Sequence, residues 1–215
     1  MQQGSKLQKS FTLIELLVVV LIIGILATLI IASVMSNLTK SRDAKRKADL
    51  KTIADALDMY YQKYGTYLVT YTDPTGSIIT CGNSAGEGYI NCKEKNTEGS
   101  SDCGDSYLYS IDRCLVRAGV IANVPADPLY KLAGPGANAQ AYMLSFVDNN
   151  NNQSQPTKGV CLYARLESVP AGQFAPEWDV LTSSANQYHC PTGYADPNSG
   201  YGMNYVIRRM APSEE

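Results

Sequence analysis

The chain has 215 residues and a formal net charge of −2. That balance excludes the overall basic character of a chain that coats nucleic acid. The charge is uneven: residues 1–51 carry eight Lys/Arg against three Asp/Glu, and the remainder carries ten against seventeen. A leader, residues 1–10, contains Lys6 and Lys9 and precedes an apolar run at 13–34 whose one charged residue is Glu15. As a helix this run would rise about 33 Å, enough to cross a hydrocarbon core. An ionisable group inside such a span marks a candidate functional site. A secretory signal has a shorter apolar core and a small-residue cleavage site, and neither matches here. A plain anchor accounts for the apolar length but not for Glu15.

Ser10-Phe11-Thr12-Leu13-Ile14-Glu15 resembles the processing site of type IV prepilins and type II secretion pseudopilins, whose usual pattern is Gly-Phe-Thr-Leu-x-Glu. The resemblance extends over about residues 6 to 64. Ser10 stands where the pattern has glycine, Gly24 matches a frequent glycine, and Ala32 stands where many relatives carry a helix-kinking proline. The resemblance implies that prepilin peptidase cuts between Ser10 and Phe11, that Phe11 becomes N-methylated, and that Glu15 attracts the terminal amine of a neighbouring subunit. It implies a structural subunit of a type IV pilus or related filament. The alternatives are a pseudopilin of a type II secretion or DNA-uptake system, or a membrane-anchored adhesin that does not polymerise. Expected partners are other copies in a helical homopolymer, other pilins, the peptidase, an inner-membrane assembly platform, and nucleic acid only as an uptake substrate. The subunit would sit once through the inner membrane before joining an extracellular filament. Lysines and arginines after the span would by simple count put the C-terminal side in the cytoplasm. The resemblance and the cysteines below argue for the opposite orientation.

From Thr39 to Tyr64 the chain has no Gly or Pro. Leu50, Ile53, Ala54, Leu57, Tyr60, Tyr61 and Tyr64 fall at three- and four-residue steps, which predicts one apolar helical stripe ended by Gly65. A helix continuous from Phe11 to Tyr64 would be roughly 80 Å long. Residues 11–36 then form the transmembrane, polymerising half and 37–64 the amphipathic half. The basic cluster Lys40–Lys47 reads as a solvated or headgroup-facing surface. Residues 65–215 form an extracytoplasmic globular domain. It begins with a turn-rich stretch and short strands near Tyr67–Tyr71 and Ser77–Thr80. A helix is expected over 106–118, ended by Gly119. Strands are expected over 140–147, with Tyr142, Leu144 and Phe146 on one face, and over 159–167, with Val160, Leu162, Ala164 and Leu166 on one face. Further strands are expected over 203–209 and around Trp178–Leu181. One long helix followed by these strands predicts an α+β fold, with an antiparallel sheet packed on the helix. This is the pilin fold that the resemblance implies.

The six cysteines Cys81, Cys92, Cys103, Cys114, Cys161 and Cys190 all follow the span, as disulfides of an extracytoplasmic domain would. Nearest-neighbour closure predicts Cys81–Cys92, Cys103–Cys114 and Cys161–Cys190. Zinc is a poor fit, because there is no C-x-x-C pair and His189, expected to be partly exposed on a loop, is the only histidine. Asp148, Asn150 and Asn152 match the first ligand positions of a calcium loop, and relatives of the resembled family hold calcium in a late loop. Gln153 and Gly159 then break the pattern, and the same residues suit a polar turn. Tyrosines at 60–71 and 188–205 suit either sheet packing or an adhesive face. The chain contains no phosphate loop or H-E-x-x-H, and no enzymatic role is expected.

Overall fold

A computed structural model describes residues 12–82, 88–91, 110–129, 142–149, 151, 153–170, 172–192 and 202–212. One helix, α1 (Leu13–Tyr64), dominates the N-terminal part. It stops at Gly65, whose φ of +71° is a conformation that costs glycine little, and the Gly65 N–H closes the last turn on the Tyr61 carbonyl at 2.7 Å. The chain divides into two compact units, residues 1–41 and 42–215. In the first unit the large apolar side chains from Leu13 to Leu26 are all exposed. Among the described residues, α1 is the one helix long and apolar enough to cross a membrane.

The second unit has a four-stranded antiparallel sheet. Its strands are β3 (Gly88–Tyr89), β4 (Met143–Phe146), β6 (Gly159–Ala164) and β8 (Tyr205–Met210), in that spatial order. A hairpin of β1 (Thr70–Thr72) and β2 (Ile78–Thr80) and a short pair of β5 (Asp148–Asn149) with β7 (Tyr188–His189) complete the strands described. Two short helices, α2 (Ile111–Arg117) and α3 (Trp178–Thr182), lie outside the sheets. The register pairs Leu144 with Leu162 and Leu162 with Ile207. Gly159, at the start of β6, lies so close to β8 that a Cβ there would come within 2.6 Å of the Arg209 carbonyl oxygen.

The predicted stripe forms the core. Leu50, Ile53, Ala54, Leu57 and Tyr60 of α1 are buried with Leu144, Phe146, Val160, Leu162 and Ala164 from one face of the sheet. Tyr64, the last of the stripe, remains 48% exposed. The other face of the sheet is also covered. Met143, Cys161, Tyr163 and Val206 pack with Trp178, Cys190 and Met203 in a second cluster. Alternation along β6 therefore separates two apolar layers, and the strand has no wet side.

Several expectations require correction. The segment around Trp178 is helix α3 and not a strand. Trp178 and Leu181 are three residues apart, so one helical face carries both to the second cluster, and the Thr182 hydroxyl bonds back to the Trp178 carbonyl at 2.9 Å. Cys81 bonds Cys114, which overturns both Cys81–Cys92 and Cys103–Cys114. The reason is packing: Cys81 follows the β1–β2 hairpin, Cys114 lies on the buried face of α2, and that helix packs against β1. Cys161–Cys190 forms as expected, while Cys92 and Cys103 lie outside the described residues. His189 is buried in β7 rather than partly exposed on a loop.

Candidate functional site

The first candidate site is the beginning of α1. Thr12 is its N-cap, and the two ends of Thr12-Leu13-Ile14-Glu15 bond each other reciprocally. The Glu15 N–H donates to Thr12 Oγ1 at 3.3 Å, while Thr12 donates from its N–H (3.3 Å) and its hydroxyl (3.1 Å) to Glu15 Oε2. This is a capping box, with threonine at the N-cap and glutamate three residues on. It satisfies two backbone donors that a helix start leaves open. It also gathers both Thr12 donors onto one carboxylate oxygen. Glu15 Oε1 accepts no hydrogen bond among the described residues, so the carboxylate keeps acceptor capacity for a further cation. The T-x-x-E signature is present in the sequence, but a charge within an apolar run draws attention away from its capping role. Ser10 and Phe11, the residues of the expected cut, lie outside the described residues.

The second candidate is a cluster of charges where the second unit begins. Arg42, Asp43, Arg46 and Asp49 occupy the first two turns of α1 within that unit. Arg46 is 0% exposed. Its guanidinium donates to Asp127 (2.6 and 3.2 Å) and Asp43 (2.7 Å), and forms an ion pair with Glu167 at 2.7 Å. Arg42 forks onto Glu167 as well. The backbone N–H groups of Glu167 and Ser168 donate to the two oxygens of Asp43, at 2.9 and 2.8 Å. Asp49 accepts from Lys45 at 2.7 Å and from the buried Tyr142 hydroxyl at 2.8 Å.

The electrostatics follow from these partners. Burial would raise the Asp43 carboxyl, but hydrogen bonds from Ser168, the Glu167 N–H and Arg46 outweigh it and hold it below the ordinary value. Arg42 above all, then Arg46, holds Glu167 down against burial. Burial, and then the Asp49 carboxylate, pushes the Tyr142 phenol up. Burial would ease a proton off Arg46, but bonds to Asp127, Glu167 and Asp43 raise it instead. The expectation that Lys40–Lys47 is a solvated basic face therefore fails at its centre. Lys40 and Lys47 are exposed, whereas Arg42 and Arg46 are tied to carboxylates 81 to 125 residues away. The cluster fixes α1 to the loops after α2 and β6, which is a structural task and offers no nucleophile or cofactor cradle.

Of the three calcium-loop candidates, only Asp148 lies among the described residues. Asp148 pairs with His189 across β5 and β7, and Asn150 and Asn152 lie outside the described residues. Among the described residues no group of three or more His, Cys, Asp or Glu is placed to hold a metal ion. Among the described residues, Tyr60, Tyr67, Tyr142, Tyr163 and Tyr205 are buried, while Tyr61, Tyr71, Tyr89 and Tyr188 are half-buried and Tyr64 is exposed.

Comparison with known proteins bears on the first candidate. Residues 5–31 match the family model described as the prokaryotic N-terminal methylation motif. The chain is 53% identical over 53 residues to the type II secretion system core protein G of Pseudomonas aeruginosa, a match covering 25% of this chain and 37% of that protein. It is 43% identical over 53 residues to the protein of the same name from Escherichia coli, again 25% and 37% of the two chains. It is 38% identical over 63 residues to the one from Vibrio cholerae, covering 29% and 43%. The chain thus spans less than half the length of these curated relatives. No solved structure matches it. The methylation motif runs into an exposed apolar helix capped by Thr12 and Glu15, ahead of an antiparallel sheet and disulfides, and over this N-terminal part the chain is similar to pseudopilins.

Proposed function

We propose that this chain is a filament subunit of the pseudopilin kind, cut between Ser10 and Phe11 by prepilin peptidase and assembled through the first half of α1. The relatives named for type II secretion favour a secretion pseudopilus over a surface pilus. The observation that carries the reading is the carboxylate at the start of an exposed apolar helix, with one oxygen engaged in the cap and the other open. Before assembly, residues 11–36 hold the subunit in the inner membrane and residues 37–215 lie on its outer side. Removing the leader frees an amine at Phe11. At 4 Å an ion pair is worth about 4 kcal/mol at an effective dielectric of 20, against about 1 in water. A neighbour's amine therefore docks on Glu15 more strongly among apolar helices than in solvent. Leaving that charge buried without a partner costs several kcal/mol, so the pair also fixes axial register. An assembly platform and companion pilins would complete the machine, and the role of the chain is structural, not catalytic.

The test has two parts. Mass spectrometry of protein from its native membrane should find a mature chain beginning at methylated Phe11. Glu15→Ala should leave the subunit membrane-bound and greatly reduce fibres seen by electron microscopy after overproduction. A chain that retains Met1, or normal fibre yield from Glu15→Ala, refutes the reading. Loss of protein secretion on deletion supports the pseudopilus, and loss of surface fibres alone supports the pilus.

A further inference from the structure

Strand β8 is an outer strand of the four-stranded sheet, so one of its edges has no neighbouring strand. Its peptide groups alternate between β6 and that open edge. The Ala211 N–H turns inward to the Lys158 carbonyl at 2.8 Å, whereas the Met210 carbonyl turns outward and accepts from the Tyr67 hydroxyl at 3.2 Å. By the same alternation Arg208 points its N–H and carbonyl outward, and no described residue bonds them. Val206 is fully buried, so the accessible edge is residues 207–210. A groove of about 370 Å³ runs beside it, with Glu177 and Leu181 on one side and residues 206–210 on the other.

The groove holds an unmatched cation and an unmatched anion. The half-buried Arg208 guanidinium donates to the Tyr188 carbonyl at 2.7 Å and has no carboxylate partner among the described residues. Arg209 differs, because Asp55 and Asp58 hold its guanidinium at 3.4 and 3.2 Å. Burial, and then the Glu177 carboxylate, pushes the Tyr205 phenol up, which places Glu177 near the start of β8. Glu177 is exposed and makes no ion pair among the described residues.

We infer that this groove takes an extended segment of a different protein as an added antiparallel strand, with an acid opposite Arg208 and a base beside Glu177. Open peptide groups on a sheet edge are matched by an extended backbone. The unmatched charges select its side chains. Alternation puts the Arg208 side chain on the face of β8 that Val206 turns to Trp178, so an acid and a base two residues apart both lean toward α3. Antiparallel pairing orders them acid first. No described strand of this chain carries an acid and a base two residues apart, so a second copy does not supply the segment from those strands. The groove lies apart from Glu15, and the inference does not depend on the filament reading.

The probe is a fluorescently labelled peptide, Thr-Val-Asp-Val-Lys-Val-Thr, titrated into the full-length chain in detergent and read by anisotropy. Saturable binding is expected. Arg208→Gln should weaken it about tenfold or more, and Arg208→Lys by less, since truncating one side of a desolvated charge pair costs much of the affinity. N-methylation of the peptide's aspartate nitrogen removes the donor to the Arg208 carbonyl and should weaken binding likewise. Exchanging the aspartate and lysine opposes like charges and should do the same. Trp178 fluorescence reports folding of the variants, and should Arg208→Gln fail to fold, the two altered peptides carry the test. No saturable binding of the first peptide, or equal binding of the N-methylated or exchanged one, overturns the inference. Self-association of the chain that Arg208→Gln abolishes gives the groove to a second copy and overturns it as well.

Discussion

Replacing Arg46 with methionine keeps most of the side-chain volume and removes the charge at the centre of the cluster. Three carboxylates lose a partner: Asp127 and Asp43, both nearly inaccessible, and Glu167 at 22% side-chain exposure. They do not lose equally. Asp43 keeps the N–H groups of Glu167 and Ser168, Asp127 keeps the Leu129 N–H at 2.8 Å, and Glu167 keeps Arg42. The greatest cost falls on Asp127, which loses both of its charged contacts. Removing one side of a buried ion pair costs about 3–5 kcal/mol. For a chain of this size that corresponds to a fall in Tm of about 6–20 °C. The assay is thermal or urea unfolding of the full chain in detergent, followed by fluorescence of Trp178, the only tryptophan. Adding Asp127→Leu to Arg46→Met should recover much of the loss, because a hydrophobic replacement of a whole buried pair is often neutral. A fall in Tm below about 2 °C for the single variant, which corresponds to less than about 1 kcal/mol, would refute the reasoning.

The pH dependence has a defined sign. Asp43 and Glu167 are held below their ordinary values of 3.8 and 4.5, so their contribution is complete above that range and disappears as pH falls through the depressed values. The deficit of Arg46→Met should therefore narrow in acid, and melts at pH 7 and pH 3 will show whether it does. Tyr142→Phe removes the hydroxyl bonded to Asp49 and should cost about 1.5–3 kcal/mol, the usual range for a hydrogen bond to a charged group. Replacing Cys81 and Cys114 together with serine opens a link spanning 33 residues and should cost about 3–4 kcal/mol in the same unfolding assay. Thr12→Ala removes the N-cap and should cost the helix start about 0.5–2 kcal/mol, visible as faster hydrogen exchange over its first turn.

What the sequence made legible was governed by local periodicity. Leu50, Ile53, Leu57 and Tyr60 recur at helical spacing and are buried, and Gly65 ends the helix where predicted. The α1-facing residues of β4 and β6 are those that alternation selects. What stayed hidden depends on distant partners. Arg46 looks like any basic residue on a polar helix face, and only Asp127 and Glu167 make its burial affordable. Alternation puts Cys161 and Tyr163 on the opposite face of β6, and nothing local announces that α3 and Cys190 will cover them. Cysteine spacing suggested neighbours, whereas the hairpin carries Cys81 past them to α2.

The Cys161–Cys190 bond ties β6, a strand inside the sheet, to the β7 end of a segment reaching 29 residues further along the chain. A protease that nicks the surface within that segment, at exposed Glu177 or Asp179 for example, breaks the backbone without separating the fragments. The clipped subunit should run as one band until a thiol is added and as two bands afterwards. After a cut that follows Glu177, the Tyr163 and Trp178 ring contact, with centres 6.0 Å apart, would be held together by sulfur where the peptide chain no longer joins them.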